Sequence, residues 1–400
     1  MRGWANLTDE EKMSAAAAFH EGISYEELHK RHRISKRCHD TFDRYAREGA
    51  RWMTLLAQEP QAATEIDLDE LQRIIKNHLT PISDLSKHFD RSTDTVQKAL
   101  DVLKHGRHLN IVTHHNLVVL DTKNPPRFYG KLMSVYDQPA MDIKIAVASD
   151  IHAGSDQQQI TALGSFLKTA YDEGARDVFV PGDVTAGNNM YRGQMHDLFA
   201  LWSKPQVRVA DYSLPRFPGL RYYVIGGNHD YSYVRDDGGD VVRELCDKRA
   251  DMSDCGYDVG DVALTDNCIV RMWHPSGGVP YAKSYRLQKA MEQYSHDPRV
   301  KLVLAGHLHI SLGPVKEGHM YGLQCGCFEG QTNYLRRKGL FPAVGGWIID
   351  MSIREDGEIS RIRTEWLEYE TIENDYRNYP GIQRGEETEV VEPAYEWKVA

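Results

Sequence analysis

Five short clusters hold most of the residues able to do chemistry: Asp150-Ile151-His152, Gly182-Asp183, Gly226-Gly227-Asn228-His229-Asp230, Trp273-His274-Pro275 and Gly306-His307-Leu308-His309. Each places a carboxylate, imidazole or amide just past an apolar run with strand character. Along an extended chain, alternation puts Asp150 and His152 on one face, and His307 and His309 likewise. Glycines precede three of the clusters, where they allow tight turns and close approach of backbone to a ligand. One such cluster is an ordinary polar turn at a strand end. Five of them, all after apolar strands, point to a metal centre.

The order and wording of these clusters resemble the calcineurin-like metallophosphoesterase superfamily, whose pattern is D-x-H, G-D, G-N-H-D/E, a lone H and G-H-x-H. All five occur here in that order, from Asp150 to His309. The resemblance implies that Asp150, His152 and His309 ligate a first metal, that Asn228, His274 and His307 ligate a second, and that Asp183 bridges them. It implies two divalent transition-metal ions, with Mn²⁺ expected first and Fe, Zn²⁺ or Co²⁺ as alternatives, since mixed imidazole and carboxylate ligation suits all four. Two metals about 3.5–4 Å apart would neutralise the phosphoryl oxygens and acidify a bridging water, whose hydroxide attacks phosphorus in line. His229 resembles the family's catalytic histidine, a proton donor to the leaving oxygen. Asp230 is expected either to orient it or only to cap the turn.

Other residues near the clusters read as ordinary loop or surface first and substrate contacts second. They are Arg192 after Asp183, the loop from His274 to Ala282, and Gln331, Asn333, Arg336 and Arg337. His196 and His296 lie in polar helical surroundings and read as surface histidines.

The elements that must position the clusters are short apolar strands alternating with helices. Strand-like runs cover Ile143–Ser149, Val178–Pro181, Tyr222–Ile225, Cys268–Trp273 and Leu302–Ala305, with helices over Gln157–Tyr171 and Lys283–Tyr294. The expected fold is α/β: a layered metallophosphoesterase domain over residues 141–366, a β-sandwich flanked by helices, with its chemistry at strand ends. Small, mostly α modules precede it. Residues 1–60 resemble a helix-turn-helix. In residues 61–130, a helix from Leu68 to His78, two more after Pro81 and Ser92, and strands at 108–112 and 116–120 resemble a winged helix. From Asp375 to the end the chain is acidic and reads as a solvated tail.

Of the 400 residues, 41% are hydrophobic, enough for more than one core. No apolar run approaches the ~18 residues of a membrane helix, and the first residues turn acidic where a signal peptide would be apolar. The expectation is a cytoplasmic protein without membrane contact. Six scattered cysteines without a CxxC pair suit reduced thiols. The net charge is −10, yet residues 1–130 balance 19 basic against 19 acidic residues, so the acidic excess lies after them. Contact with nucleic acid must therefore use a local patch.

The active-site pattern sets a reaction class and leaves the substrate open. The fused helix-turn-helix units favour DNA as substrate and partner, making a nuclease or phosphodiesterase. Contacts are expected from Lys36, Arg37, Arg44 and Arg47 in the first unit and Arg91, Lys98, Lys104 and Arg107 in the second. The alternatives are hydrolysis of a small nucleotide or phosphoprotein, with the modules forming a homodimer, and a DNA-binding regulator with a vestigial phosphoesterase domain.

Overall fold

Helix α1 (Leu68–Ile75) starts where Asp67 can cap it, its Oδ1 accepting from the backbone N–H of Asp69 (2.9 Å) and Glu70 (3.1 Å). Asn77, in the left-handed region at φ 58°, follows its end, so the helix stops at Ile75, short of the expected His78, and Leu79 is exposed. The computed structural model describes residues 66–114, 116–124, 133–136 and 138–379. The expected module at 1–60, with Lys36, Arg37, Arg44 and Arg47, lies outside them.

Strand β1 (Thr80–Pro81), α2 (Ile82–Phe89) and α3 (Thr93–Asp101) follow, α3 being capped by Ser92. A π-helical turn over Val102–Gly106 leads to β2 (Ile111–His114) and β3 (Leu117–Leu120), and the sheet order is β1-β3-β2. Leu71, Ile75, Leu85, Val96, Leu100, Leu103 and Val118 form the core of this unit.

The remaining strands form two six-stranded sheets. They are β4 (Met133–Ser134), β5 (Met141–Val147), β6 (Asp177–Pro181), β7 (Arg221–Gly226), β8 (Met252–Tyr257), β9 (Val259–Thr265), β10 (Cys268–Trp273), β11 (Val300–Ala305), β12 (Ser311–Glu317), β13 (Met320–Cys325), β14 (Gly345–Ile353) and β15 (Ile359–Glu368). One sheet runs β15-β14-β5-β6-β7-β8 and the other β12-β13-β11-β10-β9-β4. Ile145, Phe179 and Ile225 from the first meet Val270, Leu304 and Leu323 from the second in a shared core. Helices α4 (Ile160–Asp172), α5 (Ser203–Ser213), α6 (Asn228–Asp237) and α7 (Val241–Asp247) belong with the first sheet's outer core. Helix α8 (Tyr285–Tyr294) packs on the second sheet, and α9 (Asn333–Lys338) buries none of its side chains. The chain is therefore the expected α/β sandwich flanked by helices. No helix among the described residues is long and apolar enough to cross a membrane.

Two expected boundaries move. Strand β4 pairs with β9 through Met133 and Ser134, so the domain starts before residue 141. At the other end, Asp375 accepts from the Thr161 N–H (2.7 Å) and hydroxyl (2.6 Å), and Tyr376 stacks on Phe199 at 5.0 Å. Residues 375–379 thus belong to the domain rather than to the tail, because aromatic packing holds an otherwise polar segment.

The N-terminal unit is joined to the turn between α6 and α7. The Asn110 N–H donates to the Gly238 carbonyl and the Asp240 N–H to the His108 carbonyl, both at 2.6 Å. The Lys76 ammonium reaches the Asp236 carbonyl at 3.2 Å.

Candidate metal centre

Strands β5, β6 and β7 run parallel, as do β10 and β11, so all five clusters emerge at strand carboxyl ends. The segment after β5 continues alongside the one after β6: the N–H groups of Asp150 and His152 donate to the carbonyls of Gly182 (3.1 Å) and Asp183 (3.0 Å). Alternation along an extended chain is not what aims the side chains. Asp150, His152, Asp183, His307 and His309 all have φ between 48° and 76°, in the left-handed region that non-glycine residues rarely adopt. Such strain collects where surrounding structure holds a functional geometry.

All seven expected ligands meet. His152 Nε2 and His309 Nε2 lie 3.0 Å apart, and His309 Nε2 is 3.4 Å from Asp150. His274 Nε2 lies 3.1 Å from both Asp183 Oδ2 and Asn228 Oδ1. Asp183 joins the two groups, since its Oδ2 is also 3.9 Å from His152 Nε2. Donor atoms of Asp150, His152 and His309 lie within 4.8 Å of one another, and so do those of Asp183, His274 and His307. His307 is fixed from both sides: its N–H donates to the Asp150 carboxylate at 2.9 Å and its Nε2 meets the Gly277 carbonyl at 2.7 Å.

Electrostatics fit a cation here. Burial opposes charge on His274, but Asp183 outweighs it and raises the imidazole to about 9. Burial and the neighbouring His229 push His152 well down. The Nδ1 atom of His152 is buried without a hydrogen-bond partner among the described residues. Four imidazoles, two carboxylates and an amide around one buried space form a donor set that divalent transition metals satisfy.

His229 sits beside the ligands with its Nδ1 held by the Ala186 carbonyl at 2.6 Å and its Nε2 3.9 Å from Asp183. Asp230 does not orient it. Its carboxylate instead accepts from the N–H groups of Val184 (3.1 Å), Thr185 (2.8 Å) and Gly227 (2.9 Å), tying the loop after Asp183 to the turn before Asn228. Burial, with Asp183 nearby, raises Asp230 to about 6.

One further carboxylate faces the site. Glu329 is buried, with Oε2 3.9 Å from His152 Nε2, and burial raises it to about 7. It follows β13 as the other site residues follow their strands, and that rule applied to the run Met320–Cys325 finds it. Of the lesser candidates, Asn333 donates to Asp197 and Gln331 to the Leu340 carbonyl. Arg192, Arg336 and Arg337 are exposed, as are His196 and His296.

Residues 143–311 match the family described as calcineurin-like phosphoesterase. This chain carries a calcineurin-like phosphoesterase domain. Solved structures similar to the chain include a predicted phosphoesterase from Streptococcus pneumoniae, with 15% identity over 57% of this chain and 99% of that one and a TM-score of 0.28. A phosphatase from Mycoplasma pneumoniae is 10% identical over 61% and 99%, with a TM-score of 0.32. A 5'-nucleotidase precursor from Thermus thermophilus is 12% identical over 61% and 58%, with a TM-score of 0.29. No curated protein matches the chain. Phosphoesterases of this family are divalent-metal-dependent hydrolases, and the chain brings together groups of side chains that could hold such ions.

Among the cations expected to meet DNA, Arg107 is engaged with Asp69 and Gln72, and Lys98 pairs with Asp94 at 2.8 Å. Arg91 is exposed and Lys104 half-buried.

Proposed function

We propose that this protein is a two-metal phosphodiester hydrolase acting on DNA. The observation that carries the reading is the position of Asp183, shared between the two ligand groups with His229 beside it. Asp150, His152 and His309 would hold one metal and Asn228, His274 and His307 the other, with Asp183 serving both. Divalent metals, when bound, neutralise phosphoryl oxygens and acidify water. The chain's own part is proton management and orientation. With Nδ1–H donated to the Ala186 carbonyl, His229 keeps Nε2 for the leaving oxygen. The His229 N–H donates to Asp183 Oδ1 at 2.8 Å, so the proton donor and the shared carboxylate are set by one turn.

The case for DNA rests on the N-terminal unit, whose helices and hairpin have winged-helix order. A second reading has its own support: the exposed side of α3 presents Asp94 and Asp101 beside a single Lys98. It favours a small nucleotide or phosphoprotein substrate, with the modules as oligomerisation elements. Purified protein with Mn²⁺ assayed on single- and double-stranded DNA, cyclic nucleotides and bis-p-nitrophenyl phosphate separates the two. Hydrolysis of the small diester alone selects the second reading. Inertness on every substrate leaves a DNA-binding regulator.

A further inference from the structure

Helix α9 is an unusual element to keep for stability, because none of its six residues is buried. Both of its ends lead to the metal centre. Just before it stands Glu329, 3.9 Å from His152, and just after it the Ala343 N–H donates to the His309 carbonyl at 2.9 Å. A helix so tethered stands beside the site with its side chains exposed or half-exposed. Those side chains include Arg336, Arg337 and Lys338, and no carboxylate among the described residues pairs with them. Tyr334 stacks on Tyr191 at 4.9 Å and anchors the helix.

The most exposed large apolar side chains among the described residues lie on loops beside this same site. Phe341, two residues before Ala343, is 83% exposed. Tyr281 is fully exposed on the loop that begins at His274, whose Gly277 carbonyl meets His307 Nε2 at 2.7 Å. Rings left in water beside unpaired cations suit an anionic polymer with flat faces. Unpaired nucleic acid has both features, since every base offers a stacking face and every linkage a phosphate charge.

We propose that α9, Phe341 and Tyr281 form a platform that receives a single nucleic-acid strand at the metal centre, bases stacking on the rings while Arg336 and Arg337 meet phosphates. This rests on the phosphodiester-hydrolase reading above and names its substrate as an unpaired strand.

The test is binding of fluorescein-labelled dT20 to the full chain by anisotropy in EDTA, so that no turnover intervenes. Tyr281→Ala with Phe341→Ala is expected to weaken binding by about 10–100-fold, with any affinity for duplex DNA changed less than about threefold. Arg336→Gln with Arg337→Gln should flatten the logarithmic salt dependence by about 1.4. Both variants should hydrolyse bis-p-nitrophenyl phosphate with Mn²⁺ at close to the parent rate, since none of the four residues touches the metal centre. Unchanged dT20 affinity in both variants, or equal losses on duplex, overturns the platform. So does retention of the parent protein on phosphatidylserine vesicles without dT20 binding, which assigns the surface to a membrane. Diester hydrolysis with unchanged DNA binding refutes the platform alone. Loss of dT20 binding in the variants of a protein that hydrolyses no diester refutes the hydrolase reading and leaves the strand-binding surface.

Discussion

Asp183 and His229 occupy neighbouring places but should fail in different ways. Asp183→Asn removes the charge that both ligand groups share, so elemental analysis should find both metals depleted. Retention of two metals per chain would remove Asp183 from the bridging role. His229→Ala should lower turnover by about 10²–10⁴-fold with metal content kept, because seven other donors surround the site and the ring's Nδ1 is held by the Ala186 carbonyl. Loss of metal in that variant would make His229 a ligand. Asp230 belongs to neither class. Three buried N–H groups depend on its carboxylate, so Asp230→Ala should destabilise the fold by several kcal/mol at about 1–3 kcal/mol for each donor left unsatisfied. A melting temperature equal to the parent's would contradict that role.

At the scale of elements, the turns after the strands do the positioning, and they tolerate little added volume. A Cβ on Gly227 would lie 2.2 Å from Asp183 Oδ1, while its φ of −101° is open to any residue. Gly227→Ala therefore tests crowding alone, and should displace Asp183 and lower the occupancy of both sites. Helix α7 offers a pH-dependent case. Its capping residue Asp240 is buried, and burial, with Asp254 near it, raises its pKa to about 7 against Arg243 and the Tyr257 hydroxyl. The folded state thus holds a proton that the unfolded chain releases near 4. The associated stability is full below about pH 4 and is lost as pH rises through 7. Asp240→Asn stays neutral, so its melting temperature relative to the parent should rise between pH 5 and pH 8. A constant difference across that range would show that Asp240 is ionised throughout.

For the whole molecule, the N-terminal unit rests on the far end of the helix that begins with Asn228. Leu120, fully buried, packs against Gly238 at that helix's end. Leu120→Ala should cost about 2–5 kcal/mol. A chain beginning at Met141 would lack both this cover and β4 at its sheet edge. It should melt below the full chain while still hydrolysing bis-p-nitrophenyl phosphate, measured by calorimetry and a colorimetric rate. Melting at the parent temperature would mean that the unit adds no stability to the phosphoesterase domain.

The amino-acid sequence by itself determined which clusters meet at one site and pointed to the phosphoesterase family. The ligand residues sit in short segments next to apolar strands, and both the residue types and the strand periodicity are local properties. Cys268–Trp273 could be read to the residue for that reason. Tertiary structure decided what depends on distant partners. The left-handed backbone at Asp150 and His307 is imposed by loops packed against each other, so the expected alternation could not hold. Asp230 looks like a companion of His229 in sequence, but its acceptor oxygens are claimed by Val184 and Thr185, more than forty residues away. The domain's ends at β4 and Tyr379 likewise rest on one strand pairing and on aromatic packing across the fold. Arg107 pairs with Asp69 once α1 folds beside it, a partner 38 residues away that no local pattern in the sequence announces.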